Sequence, residues 1–83
     1  MYQVEFSKTA LKDLNELPQQ IQKRVLAEIE NLAKNPRHPG IKKLVNSLYY
    51  RARVGNYRIL YDIQDNILTV MVLKIKHRSD IYK

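Results

Sequence analysis

The chain contains no cysteine, only two glycines and only two histidines in 83 residues. Without cysteine a disulfide scaffold, a cysteine-based zinc site and a thiol nucleophile are excluded together. His38 and His77 alone are too few for a dedicated zinc or iron centre, so neither a metal nor another cofactor is expected. No glycine-rich phosphate loop is present, and Ser7, Ser47 and Ser79 lack a recognisable nucleophile context. The four glutamates all fall in the first thirty residues, mostly at surface helical positions, and read as solvated charges rather than a hydrolytic carboxylate pair. The longest apolar run, residues 67–73, is far short of the roughly 20 residues a membrane helix needs. The N-terminal residues have neither the basic patch nor the apolar core of a signal peptide. A soluble cytoplasmic protein with no membrane partner is the expectation.

What the sequence has in excess is positive charge, +7 overall. Residues 1–40 hold six cations against five anions, whereas residues 41–83 hold nine against three. The second half therefore faces a polyanion or an acidic protein. At this length a single domain over residues 1–83 is expected, burying about 60% of the surface of its unfolded chain, so stability is modest and a bound partner matters to it.

Hydrophobic periodicity divides the chain. Val4 and Phe6 alternate as a short strand, and Ser7 offers a helix cap ahead of Ala10, Leu11, Leu14 and Leu17 at helical spacing. Pro18 ends that helix and opens the next, whose stripe is Ile21, Val25, Ile29 and Leu32. Two helices so closely joined form a hairpin. Residues 35–40, with two prolines and a glycine, form a loop. From Ser47 the period becomes two, with Gly55-Asn56 and Asp65-Asn66 as two-residue turns, which predicts antiparallel strands near 48–54, 57–64 and 67–75. The fold class is α+β: an N-terminal strand and helical hairpin packed on an antiparallel sheet.

A Gly55-Asn56 turn sets Tyr50 opposite Tyr61, Ala52 opposite Ile59 and Val54 opposite Tyr57, and Val70 and Val72 continue this apolar face. On the reverse face Arg53 lies opposite Arg58, a like-charge pair that costs some tenths of a kcal/mol. Paired guanidinium groups are well matched to a phosphate. If Gln64 pairs with Ile67, the reverse face also carries Leu60, Ile67, Met71, Leu73 and Ile75, an apolar patch of the kind that marks a partner site, with Leu73 and Met71 the next residues across from Arg58 and Leu60. By parity His77 then points toward the two arginines.

The remaining chemistry is metal-free and uses Arg, His, Lys and Tyr. RNA cleavage needs such a set, because the 2′-hydroxyl is the nucleophile. The protein must take its proton, stabilise the crowded phosphate and protonate the leaving oxygen. His77 serves as base or acid, Arg53 and Arg58 hold the phosphate charge, and Tyr82 stacks on a base or orients the nucleophile.

The run Leu48-Tyr49-Tyr50-Arg51-Ala52-Arg53-Val54-Gly55-Asn56-Tyr57-Arg58-Ile59-Leu60-Tyr61, followed by Lys76-His77-Arg78-Ser79-Asp80-Ile81-Tyr82, closely resembles the RelE branch of the RelE/ParE toxins of toxin–antitoxin systems. The resemblance includes Asn35-Pro36 and Lys42-Lys43-Leu44 and so spans essentially the whole chain. It implies a microbial-ribonuclease-like fold, cleavage of messenger RNA in the ribosomal A site, and neutralisation by a cognate antitoxin that also brings the complex to operator DNA. It further implies Arg58 as phosphate stabiliser and Lys76, His77, Arg78 and Tyr82 as a C-terminal catalytic cluster. Arg51, Arg53, Tyr49, Lys42 and Lys43 would contact RNA, and an acidic antitoxin segment would cover Leu60, Met71 and Leu73. Tyr49 and Lys76 depart from the best-known member, which has lysine and arginine there, so the acid and base roles are open. The rivals are a ParE-like gyrase inhibitor and a degenerate toxin that binds only antitoxin and operator.

Overall fold

The computed structural model describes residues 1–81, with the side chains of residues 1–79. The elements are β1 (Gln3–Phe6), α1 (Lys8–Glu16), α2 (Gln19–Lys34), β2 (Lys42–Lys43), β3 (Tyr50–Val54), β4 (Tyr57–Gln64), β5 (Thr69–His77) and α3 (Arg78–Ile81). The expected α+β plan holds. One five-stranded sheet runs in the order β1-β5-β4-β3-β2. It is mixed rather than purely antiparallel, because β1 pairs parallel with β5, Val4 opposite Val70. The α1–α2 hairpin carries the chain across the sheet from β1 at one edge to β2 at the other, and β5 returns beside β1.

Local chemistry explains the helix boundaries. Ser7, in extended conformation, accepts the Ala10 N–H on its hydroxyl at 3.0 Å and caps α1. Leu17 and Pro18 are both extended, with ψ near 145° for each, which breaks the helix and sets the start of α2. Ala10, Val25, Ile29 and Leu32 from the helices meet Ala52, Val54, Ile59, Tyr61, Val70, Val72 and Ile75 from the sheet in one core. Each fully buried aliphatic side chain contributes about 1.5–3 kcal/mol of transfer free energy.

The predicted register of β3 and β4 is the observed one, from Tyr50 opposite Tyr61 to Val54 opposite Tyr57. Gly55 at φ 57° supplies the left-handed conformation the turn needs. The next connection differs from expectation. Asp65–Ile67 form a 3-10 turn closed by Leu68 in the left-handed region, so Gln64 pairs with Thr69 rather than Ile67. A bulge follows: Tyr61 lies opposite Val72 but Leu60 lies opposite Lys74, which leaves Leu73 as the extra residue.

Two corrections follow from the bulge. Ile75 is in the core, 2% exposed and opposite Ile59, not on the reverse face. His77 lies opposite Tyr57 and packs edge-on to its ring at 5.3 Å between centroids, so it shares the helix-side parity and does not point toward Arg53 and Arg58. The cause lies in the neighbour of β5. Pairing with β1 ends at Phe6 opposite Val72, and α1 takes over the exposed edge. Ser7 donates its N–H to the Val72 carbonyl and its hydroxyl to the Leu73 carbonyl. Asp13, 8% exposed, accepts the Ile75 N–H at 3.0 Å.

A second cluster fixes the 35–41 loop. The buried Tyr61 hydroxyl donates to the Pro36 carbonyl at 2.7 Å. Arg37 forms a fork on Asp65 and lies over the Tyr50 ring, while Tyr2 donates to the same carboxylate. These partners hold Asp65 down at a pKa of about 2, led by the Arg37 hydrogen bonds. Glu28, read as a solvated charge, accepts from His38 at 2.9 Å.

Candidate functional site

The reverse face of the sheet is built from cross-strand rows. Arg53 is opposite Arg58, and Arg58 is opposite Lys76. In the next row Lys42 is opposite Arg51, Arg51 opposite Leu60, and Leu60 opposite Lys74. The longer β4–β5 turn and the bulge together put lysines where the sequence reading had Leu73 and Met71 across from Arg58 and Leu60. Neighbouring strands are about 4.8 Å apart, so like charges crowd at a cost that no acidic residue in either row offsets.

Gly40, Lys42, Arg51, Arg53 and Arg58 line a hollow on this face. Gly40, at φ 96°, brings the anchored 35–41 loop to the rim. Arg58 is only 7% exposed, and its one side-chain hydrogen bond among the described residues is a long 3.5 Å contact with the Tyr57 carbonyl. No carboxylate pairs with it among those residues. A buried guanidinium without a counter-charge is costly, and an anion in the hollow relieves that cost with bidentate hydrogen bonds.

A second hollow lies at the start of β4 and the end of β5, on the α1 side, lined by Asp13, Glu16, Leu17, Tyr57, Ile75, Lys76 and His77. Lys76 belongs to the Arg58 row by its backbone, but its ammonium reaches Asp13 at 2.8 Å. His77 Nδ1 receives the Ser79 N–H at 3.3 Å and contacts the Ser79 hydroxyl at 2.9 Å. Nδ1 is therefore the ring nitrogen that faces Ser79. The Arg78 N–H donates to the Asn56 carbonyl at 2.7 Å and fixes α3 to the β3–β4 turn.

The residues singled out in the sequence are thus divided. Lys42, Arg51, Arg53 and Arg58 come together; Lys76 and His77 line the other hollow; Arg78 is exposed at the start of α3. Tyr49 and Lys43 are exposed near the β2–β3 connection, and Tyr82 lies outside the described residues. Leu60, Met71 and Leu73 are half-buried on the sheet. Ile67 leaves the expected patch for the 3-10 turn. Sequence reasoning missed Asp13, Glu16, Tyr57 and Ser79. Only Ser79, two residues after His77, carried a local signal; the others enter through register and packing.

Residues 4–82 match the family model described as ParE toxin of type II toxin-antitoxin system, parDE. Toxin RelG of Mycobacterium tuberculosis is 40% identical over 85 residues, spanning 99% of this chain and 97% of the relative. Toxin RelE3 of Methanocaldococcus jannaschii is 34% identical over 82 residues, spanning 93% and 91%. Among solved structures, a chain of the Mycobacterium tuberculosis RelBE2 toxin–antitoxin complex superposes with a TM-score of 0.83 at 36% identity, covering 93% of this chain and 98% of that one. Isolated Escherichia coli RelE, at 22% identity, shares the fold with a TM-score of 0.84 over 99% of this chain and 92% of its own. The chain belongs to the RelE/ParE family of toxins of type II toxin–antitoxin systems.

Proposed function

We propose that this toxin is a metal-independent, ribosome-dependent endoribonuclease that cleaves messenger RNA in the A site. The observation that carries the reading is Arg58, buried without a carboxylate partner among the described residues and surrounded by Lys42, Arg51 and Arg53. The scissile phosphate occupies this hollow, and Arg58 holds the charge that builds on its oxygens as the 2′-hydroxyl attacks. Arg51, Arg53, Lys42, Lys43 and Tyr49 guide the flanking RNA. Proton transfer falls to Lys76, His77 and Arg78, at the end of β5 and the start of α3, and to Tyr82, which follows in the sequence.

A hollow this small grips only a few nucleotides, and electrostatic binding alone is weak and salt-sensitive. The ribosome supplies the substrate geometry. The half-buried Leu60, Met71 and Leu73 beside the cationic rows suit an acidic antitoxin segment, consistent with the antitoxin-bound relatives, and that complex would sit on operator DNA.

The test is a reconstituted translation reaction with a defined messenger, breaks being mapped by primer extension. A-site breaks that require ribosomes and fall by about 10²-fold or more in Arg58→Ala support the reading. An intact messenger on active ribosomes refutes it. The matching family model is described as a ParE toxin, so gyrase inhibition is the assay that follows such a failure.

A further inference from the structure

The carboxylate of Asp13 serves two partners on two different oxygens. Oδ2 accepts the Ile75 N–H at 3.0 Å, and Oδ1 accepts from the Lys76 ammonium at 2.8 Å. The N–H groups of a strand point sideways, toward the position of a neighbouring strand, and Ile75 stands beyond Val72, the last residue of β5 that pairs with β1. Asp13 therefore takes the place of the missing strand at the open edge, between the two faces of the sheet. Side chains from either face can reach it there.

Lys76 reaches it from the reverse face. Its backbone lies opposite Arg58, which lies opposite Arg53, so the three side chains leave the sheet on the same side. The Lys76 ammonium nevertheless ends at α1, and the residue lines the Asp13 hollow rather than the basic one. Three cations abreast repel one another, and turning outward to Asp13 takes one of them out of the row. Arg58 is fixed by burial, whereas the Lys76 side chain is 37% exposed. An ion pair with so exposed a partner is weak, and a phosphate held by Arg53 and Arg58 offers the ammonium a competing counter-charge. Strands are only about 4.8 Å apart, a gap that a lysine side chain spans.

We infer that Asp13 is a positioning residue that parks Lys76 at the edge of the sheet until an anion fills the basic hollow, when the ammonium crosses to the Arg58 row. Asp13 and the anion thus compete for one lysine. The two oxygens divide the carboxylate between fold and function: Oδ2 closes the strand edge, and Oδ1 sets how readily Lys76 is released. This rests on the RNA reading of the basic hollow, and the experiment separates the two.

The purified full-length chain and its Asp13→Asn, Lys76→Met and doubly substituted forms are titrated with inorganic phosphate, following backbone amide and side-chain carboxyl resonances by NMR. Asparagine keeps an oxygen for the Ile75 N–H but turns an NH2 group toward Lys76, and a donor cannot hold an ammonium. Asp13→Asn is expected to bind phosphate about two- to fivefold more tightly, the range of an exposed ion pair, and Lys76→Met about two- to fivefold more weakly. The doubly substituted form should match Lys76→Met. In the unsubstituted chain the Asp13 carboxyl resonance should move with the same phosphate dependence as the Arg58 amide, and in Lys76→Met it should stay still. That readout requires no Asp13 variant to fold. Unchanged or weaker binding in Asp13→Asn, a tightening that persists without Lys76, or a fixed Asp13 resonance while Arg58 responds would each overturn the parking role and leave the phosphate hollow standing. Silence at Arg51, Arg53 and Arg58 would refute the phosphate hollow itself, and the role of Asp13 with it.

Discussion

Replacing Asp13 with alanine should be among the most damaging single changes to this fold. The side chain is 8% exposed and serves two partners, the backbone N–H of Ile75 at 3.0 Å and the Lys76 ammonium at 2.8 Å. Alanine strands the Ile75 N–H at the point where β5 has lost β1, and a buried unpaired donor costs about 1–3 kcal/mol. The Lys76 side chain is 37% exposed, so losing that ion pair adds only about 0.5–1 kcal/mol. The expected total is about 1.5–4 kcal/mol, against a global stability of about 4–12 kcal/mol for a domain of this length. In urea denaturation followed by circular dichroism, that is a large share of the midpoint. A melting temperature lowered by about 10–25 °C would correspond. Two companions apportion the effect. Asp13→Asn keeps an acceptor for the Ile75 amide and should lose clearly less, while Lys76→Met should lose no more than about 1 kcal/mol. Hydrogen exchange of the Ile75 amide should accelerate in Asp13→Ala beyond the change at Ile59. Stability of Asp13→Ala within about 0.5 kcal/mol of the parent would show that the carboxylate does not hold the strand edge. So would a Lys76→Met loss equal to that of Asp13→Ala.

Tyr61→Phe removes the hydroxyl that donates to the Pro36 carbonyl in a buried setting, and should cost about 1–2 kcal/mol in the same urea assay. An undiminished midpoint would mean that the 35–41 loop does not depend on this bond. Stability should also fall from neutral to alkaline pH through His38, whose pKa is raised by the Pro39 carbonyl and then by Glu28, against opposing burial. A group protonated more readily when folded contributes in full below its unfolded pKa of about 6.5 and loses that contribution as pH rises through the folded value. His38→Gln should flatten this limb in urea midpoints measured from pH 5.5 to 9, and an unaltered slope would assign it elsewhere.

The parts of this fold that were legible in the sequence are those whose signal is local. Ser7, Pro18 and the Ile21-Val25-Ile29-Leu32 stripe mark helices within a few residues, and Gly55-Asn56 fixes the β3–β4 register because only a two-residue loop lets Val54 meet Tyr57. Asp65-Asn66 carries the same residue types, but the turn there runs on through Leu68, a residue that local propensity does not place in the left-handed region. The parallel pairing of β1 with β5 joins residues more than sixty positions apart and leaves no trace in either segment. Arginines on a regular hairpin were therefore placed correctly, whereas Ile75 and His77, which lie beyond both the misjudged turn and the bulge, were assigned to the wrong face.

The extra residue in β5 has a consequence for how members of this family are compared. Strand parity downstream of Leu73 depends on that single residue being accommodated outside the ladder. Two chains with the same His-Arg motif at the same distance from the same arginines present it to opposite sides of the sheet if only one of them bulges. Matching letters is therefore not matching surfaces. Transferring a role to His77 from another toxin requires counting the ladder partners of β4 first, because the motif records the order of the side chains and the bulge decides which way they look.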